Sequence, residues 1–239
     1  MKKTYLLLLV LIPFLCAAQT DRNPNRKHDN NGHLSPNMAL AFPQKEFSDF
    51  APRSAFFGVG GGFYFQRGEA LPIDFGASFH YFWMGSESKT FEMYDPGTGD
   101  YEVESRATGS MMPIHLHVRV SFLRTLNNYV FPYAEVLGGF RMFNSRTVIE
   151  VDDFTETPPE PETHNNFSLA WSWGYAGGLS INLATNVLLD ARVTMLHGGR
   201  AEYLDPESVT FNDMQEPEFN QKRSKTDALL YQLGVKLKF

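Results

Sequence analysis

Between Thr226 and Phe239 the chain reads TDALLYQLGVKLKF, and its apolar and polar positions alternate. Leu229, Tyr231, Leu233, Val235, Leu237 and Phe239 share one face of an extended strand, while Ala228, Gln232, Gly234, Lys236 and Lys238 share the other with Leu230. Six further segments show the same period of two. In residues 111–123, Ile114, Leu116, Val118, Val120 and Phe122 oppose His115, His117, Arg119 and Ser121. In residues 167–183, Phe167, Leu169, Trp171, Trp173, Tyr175, Leu179, Ile181 and Leu183 oppose a face of Ser, Ala, Gly and Asn. Residues 55–66, 71–84, 129–143 and 186–197 split likewise, with Asp74, His80, Glu135, Arg141, Asp190 and Arg192 on the polar sides. The pattern predicts an all-β domain.

Alternation alone does not say which face points inward, and a soluble lipid-binding barrel of the lipocalin kind has the same period. Volume separates the two arrangements. An eight-stranded barrel has an interior just wide enough for side chains to fill. It cannot take Phe63, Phe75, Phe79, Trp83, Trp171, Trp173, Tyr175 and the many residues like them. The Gly, Ser and Ala face suits the interior, and the bulky face is left for lipid. Trp83, Trp171, Trp173 and Tyr231 then fall near the outer strand ends, where an interfacial aromatic girdle belongs, with Phe239 closing the last strand.

Connection lengths predict the orientation. Residues 67–70, 124–128 and 184–185 are short links, whereas 85–110, 144–166 and 198–225 are long. Short periplasmic turns alternate with long external loops in outer-membrane barrels. Seven strands leave the barrel ends unable to close, so an eighth is expected around residues 37–47, a segment interrupted by Pro43. The tip Asp95-Pro96-Gly97-Thr98-Gly99-Asp100 reads as a hairpin turn. A two-residue loop at Gly97-Thr98 sets His80 opposite His115; one at Pro96-Gly97 pairs Asp74 with Arg119.

The amino terminus places the chain outside the cytoplasm. Lys2 and Lys3 precede an apolar run over residues 5–15, followed by Cys16, Ala17, Ala18 and Gln19, the layout of a secretory signal cleaved after Ala18. The run has 11 residues, well short of the roughly 20 that a spanning helix needs. A lipidated Cys16 is the weaker alternative, since Pro13, Phe14 and Leu15 approach it poorly. Cleavage removes the only cysteine, so packing and backbone hydrogen bonds must hold the domain. It also shifts the formal charge from -6 to -8 by removing Lys2 and Lys3, which argues against nucleic acid as a partner. Residues 19–36 are polar, with no apolar period, and read as a flexible exported tail ahead of a barrel over 37–239.

Terminal strand, signal, alternation and loop lengths together resemble the small bacterial outer-membrane β-barrels of the OmpX, OmpA and OmpW type, and the outer-membrane β-barrel domain common in Bacteroidetes. The resemblance implies a single antiparallel transmembrane barrel in the cell outer membrane. It implies lipid and lipopolysaccharide as neighbours, and assembly machinery that reads the strand ending at Phe239. It brings no active site and no cofactor.

The lumen face offers Asp74, His80, His115, His117, Arg119, Glu135, Arg141, Asp190, Arg192, Lys236 and Lys238. Buried charges must be paired, so the plainest reading is a hydrogen-bonded plug in a closed, monomeric barrel with a structural or surface-binding role. The alternative is a narrow pore or conduit for small or hydrophobic solutes. A metal site at His80, His115 and His117 is a weaker candidate: His115 and His117 lie about 6.6 Å apart along one strand and need a ligand from elsewhere. An enzyme is weaker still. Ser121 stands about 13 Å along the strand from His117, beyond nucleophile and base contact. Outside the lumen, Glu150, Asp152, Asp153, Glu156, Glu160 and Glu162 form an acidic loop with Pro158, Pro159 and Pro161. It reads as a solvated tip, with divalent-cation contact to lipopolysaccharide as the alternative. Arg200, Lys222, Arg223 and Lys225 stand where outer-leaflet phosphates are expected.

Overall fold

The computed structural model describes residues 32–51, 53–66, 73–95, 99–121, 129–152, 162–211 and 217–239. Its elements are β1 (Gly32–Pro43), α1 (Glu46–Phe50), β2 (Phe56–Gln66), β3 (Ile73–Asp95), β4 (Gly99–Ser121) and β5 (Val130–Asp152). They continue with β6 (Glu162–Ala184), β7 (Val187–Gly198), β8 (Arg200–Phe211), β9 (Pro217–Lys225) and β10 (Ala228–Lys238). Eight strands close an antiparallel barrel in the order β1-β10-β7-β6-β5-β4-β3-β2. Closure is made by β1, where Leu40 faces Tyr231 of β10 on one side and Phe57 of β2 on the other. The Phe239 amide donates to the Gly32 carbonyl at 3.2 Å and ties the last strand to the first.

The alternation seen in the sequence is the inside and outside of this wall. Leu116 is 71% exposed on the outer face and Arg119, three residues on, is 1% exposed inside. Trp83, Trp171, Trp173, Tyr231 and Phe239 all project outward. No helix among the described residues is long and apolar enough to cross a membrane; any crossing is made by strands, whose backbone groups the closed ladder satisfies.

At one end the strands are joined by short links, such as the two-residue turn Thr185-Asn186 that brings Ala184 opposite Val187. At the other end the expected loops are largely sheet. β3 and β4 stay paired to Asp95 and Gly99, β4 and β5 to Glu102 and Asp152, and β5 and β6 to Ile149 and Glu162. A four-stranded sheet thus stands above the barrel, and the β8–β9 hairpin packs on it through β8. The β3–β4 register sets Asp74 opposite Arg119 and Ser78 opposite His115, so the arrangement with His80 facing His115 is not the one formed. A register shift between Trp83 and Gly85 separates the barrel from the extension. Gly85 has φ +118°, a backbone conformation that calls for glycine.

Two expectations are corrected. The first strand is Gly32–Pro43, not residues 37–47, so residues 32–36 belong to the wall and not to a tail. Pro43 lies at the end of the ladder, and Lys45, with φ 55° and ψ -134°, turns the chain inward into α1. Secondly, the lumen is not lined only by small and polar groups. Phe56, Phe82, Met111, Phe143, Leu196 and Leu230 point inward at the hairpin end, packed with Ala39, Ala41, Ala170 and Ala228. Small neighbours make the room: a Cβ on Gly58 would meet the Phe82 ring at 2.4 Å. The proposed signal segment and most of residues 19–36 lie outside the described residues.

Candidate functional site

Below the apolar tier, toward the short-turn end, alternate residues of neighbouring strands bring charged groups to the barrel axis. Glu135 of β5 is the hub. Its carboxylate accepts from His117 Nδ1, from Arg119 Nε at 2.7 Å and from Arg192 Nη1 at 2.9 Å. Arg192 also donates to Gln232 Oε1 at 2.6 Å and to the Tyr64 hydroxyl at 2.9 Å. The Arg119 guanidinium lies between two rings, 4.1 Å from the centre of Tyr64 and 4.0 Å from that of Tyr133. Stacking of this kind suits a planar, weakly hydrated cation. A second hub is Asp190, which accepts from Lys236 Nζ at 2.7 Å, Ser180 Oγ at 2.7 Å and the Tyr133 hydroxyl at 3.0 Å. Asp74 is buried opposite Arg119.

The histidines do not converge. His117 spans Glu135 and Ser78, His115 meets Ser172 at 3.1 Å, and His80 meets Asn37 and Gln232, both at 2.8 Å. The rings of His115 and His117 are 6.3 Å apart and nearly perpendicular. Among the described residues, no group of three His, Cys, Asp or Glu side chains is placed to hold a metal ion. Lys238 is half-buried, its ammonium 5.6 Å from the centre of the Phe131 ring. Sequence reasoning passed over Tyr64, Tyr133, Gln232 and His33, which stacks on Tyr64 at 4.8 Å. Strand parity put the first three on the lumen side, but an aromatic alternation scores Tyr as bulk and misses its hydroxyl.

Between the tiers lies Arg141, which is fully buried. Its Nε donates to Ser172 Oγ at 2.9 Å and its Nη1 to the Thr226 carbonyl, while Nη2 has no hydrogen-bond partner among the described residues.

The segment joining β1 to β2 closes the hairpin end. Phe47 of α1 is fully buried, edge-on to Phe56 at 5.9 Å and to Phe143 at 6.0 Å. The strap is held by Lys45 Nζ to Asp227 Oδ2 at 2.8 Å, the Gln44 amide to the Asp227 carbonyl at 2.9 Å, and the Lys225 amide to Glu46 Oε2 at 3.1 Å. The hydrogen bond to Asp227, and then its charge, hold the Lys45 ammonium above its usual pKa. Burial pushes the Asp227 carboxyl up, but hydrogen bonds from Lys45 and the Gly198 amide outweigh it, leaving the pKa below the ordinary value.

On the outer sheet, Glu150 is exposed and Asp152 and Glu162 fall on β5 and β6, whereas Asp153, Glu156 and Glu160 lie outside the described residues. Arg200 stands opposite Lys225 in the β8–β9 register, and Arg223 approaches Glu202 at 3.7 Å.

No family model matches the chain, and no curated protein matches it. Among solved structures it is similar to Neisserial surface protein A, with TM-score 0.46 and 14% identity over 87% of this chain and 97% of that one. It is also similar to a major outer membrane protein from Thermus thermophilus, with TM-score 0.44, 11% identity and coverage of 87% and 99%. For Ail of Yersinia pestis, in complex with the heparin analogue sucrose octasulfate, the values are 0.39, 12%, 87% and 98%. These are likenesses of outline at low identity, and none transfers a role. By its own strand order and register the chain is a closed eight-stranded antiparallel barrel with an apolar outer face, the architecture of the small outer-membrane barrels that its sequence resembles.

Proposed function

We propose that this protein is an integral, monomeric barrel of the outer membrane, non-enzymatic and closed to ions, that acts through its external sheet in surface binding or as a structural element. The observation that carries this reading is the filled lumen, in which Arg119 is clamped between Tyr64 and Tyr133 and bonded to Glu135. A solute on the axis would have to break that set of bonds. The location is supported by the outer wall, where Leu116, Val136, Leu169, Trp171, Tyr175 and Leu233 are each more than half exposed. In water so large an apolar surface would be a liability; in lipid it is the solvent-matched face. Lipopolysaccharide phosphates are the partners that exposed Arg200, Arg223 and Lys225 fit, and the strand ending at Phe239 is the segment for assembly machinery. Export by a signal cleaved after Ala18 belongs to the same reading.

The test is membrane fractionation, gel mobility with and without boiling, and conductance in a planar bilayer. Outer-membrane recovery, a shift on heating and a silent bilayer are expected. A narrow conduit for hydrophobic solutes is the second reading, favoured by the apolar tier. Steady channel steps from the purified barrel would establish it and sink the closed one.

A further inference from the structure

We propose that the apolar tier of the lumen is a binding site for a small aromatic carboxylate, and that the ring of Phe47 fills that site in this structure. The inference rests on the reading of a barrel closed below this tier. The pocket is the apolar tier itself: Phe47 belongs to one buried cluster with Phe56, Phe82, Met111, Phe143, Leu196 and Leu230, and its ring lies edge-on to those of Phe56 and Phe143. That ring comes from a strap and not from the wall. α1 has five residues and no side-chain bond at its N-cap, far below the roughly 12 residues at which an isolated helix begins to hold. Its entry residue, Lys45, carries the only positive φ found among described non-glycine residues. Such strain persists only where surrounding contacts impose it. The Lys45–Asp227 pair reaches solvent, with Lys45 two-thirds exposed. A plug held this way exchanges with an open state, and a ligand of similar shape competes for the vacated space.

Arg141 supplies the second half of the recognition. It flanks the tier directly, since Phe143 is its neighbour on the same face of β5 and Ala170 is its cross-strand partner. Deeper in the lumen, Asp74, Glu135 and Asp190 balance Arg119, Arg192 and Lys236 in charge. Arg141 is the additional buried cation, bonded to a hydroxyl and a carbonyl; the one carboxylate whose charge reaches it, Asp227, is already engaged by Lys45, and Nη2 is unpartnered among the described residues. A buried guanidinium nitrogen gains most from a charged acceptor. An aryl ring in the place of Phe47 with a carboxylate toward Nη2 satisfies both halves, and the polar network below makes the site a blind pocket.

The experiment is ligand-observed NMR with phenylacetate and, separately, toluene, on the full exported barrel in phosphatidylcholine nanodiscs. Variants are Phe47→Ala, Asp227→Asn and Phe47→Ala combined with Arg141→Met. Removing the internal competitor should tighten phenylacetate binding by about tenfold or more over wild type, because apparent affinity scales with the open fraction. Toluene should bind Phe47→Ala more weakly than phenylacetate does, and Arg141→Met should reverse that order. Asp227→Asn, with Phe47 in place, should tighten phenylacetate binding at least about two- to fivefold, the worth of an ion pair whose lysine is exposed. Equal binding of toluene and phenylacetate by Phe47→Ala would mean an apolar cavity only and overturn the proposal. So would a heat-modifiable Phe47→Ala barrel that binds neither probe. If Phe47→Ala does not fold, Asp227→Asn decides, and affinity equal to wild type rejects the site. Conductance, which tests the closed lumen, fails independently of these outcomes.

Discussion

Glu135 shows how a single residue organises a lumen. Its carboxylate collects His117, Arg119 and Arg192, each buried and from a different strand or register position. Replacing Glu135 by Leu removes the shared acceptor and leaves two guanidinium groups inside without it. Breaking a buried pair this way costs about 3–5 kcal/mol, so Glu135→Leu should lower the temperature of the heat-dependent gel shift well below wild type. An unchanged temperature would mean that Tyr64, Tyr133 and Asp190 carry the cations unaided. Asp227 gives a different kind of prediction, through pH. Its folded pKa is depressed, so the stability it lends is present above the unfolded value of about 3.9 and is lost as pH falls through the folded value below it. Lys45 is raised, so its share is present below its unfolded value of about 10.4 and is lost only above that. The strap should therefore be tied down across the whole neutral range. Amide protection around Phe47, corrected for the intrinsic pH dependence of exchange, should fall only below about pH 4, and the part of that fall due to Asp227 should be absent in Asp227→Asn.

At the scale of elements, the closing seam between β1 and β10 is the place where geometry is least forgiving. Pairing runs from His33 and Leu34 and resumes at Asn37 opposite Gly234, and Pro36 between them lacks an amide hydrogen to donate. A Cβ on Gly234 would stand 2.4 Å from the Pro36 carbonyl oxygen and 2.5 Å from Asn37 Cβ. Gly234→Val should cost about 3 kcal/mol, the upper end of overpacking, and shift the refolded population toward the form that no longer changes mobility on boiling. The same strand explains what the sequence did and did not disclose. Seven strands were legible because alternation is imposed by a wall with lipid on one side and packed side chains on the other. β1 was blurred because Pro36 and Pro43 interrupt its apolar period and the chain turns at Lys45, so little regular alternation marks its two ends. Parity located Asp74, His80, His115, His117, Arg119, Glu135, Arg141, Asp190, Arg192 and Lys236, while their partners depend on registers that length alone does not set. The bulge between Trp83 and Gly85 is such a case: it lets the tip and the barrel follow different pairings within one hairpin.

The molecule as a whole places two unlike seals along one axis. The lower seal is electrostatic, with cations and carboxylates spanning from strand to strand; the upper one is apolar and ends on Phe47. Seals in series close the path independently, because an ion must pass both, and opening one leaves the other's barrier intact. Phe47→Ala should therefore leave a planar bilayer silent despite the emptied upper tier. Arg119→Ala should do the same, since the apolar tier remains dry and an ion within it would lose its hydration. Only the double variant, Phe47→Ala with Arg119→Ala, should give resolvable conductance steps. Steps from Phe47→Ala alone would show that the polar tier is permeable and that the apolar tier does all the sealing. A silent double variant would instead mean that Tyr64 and Tyr133 close over the space that Arg119 leaves, making the ring pair, and not the charge it clamps, the lower gate.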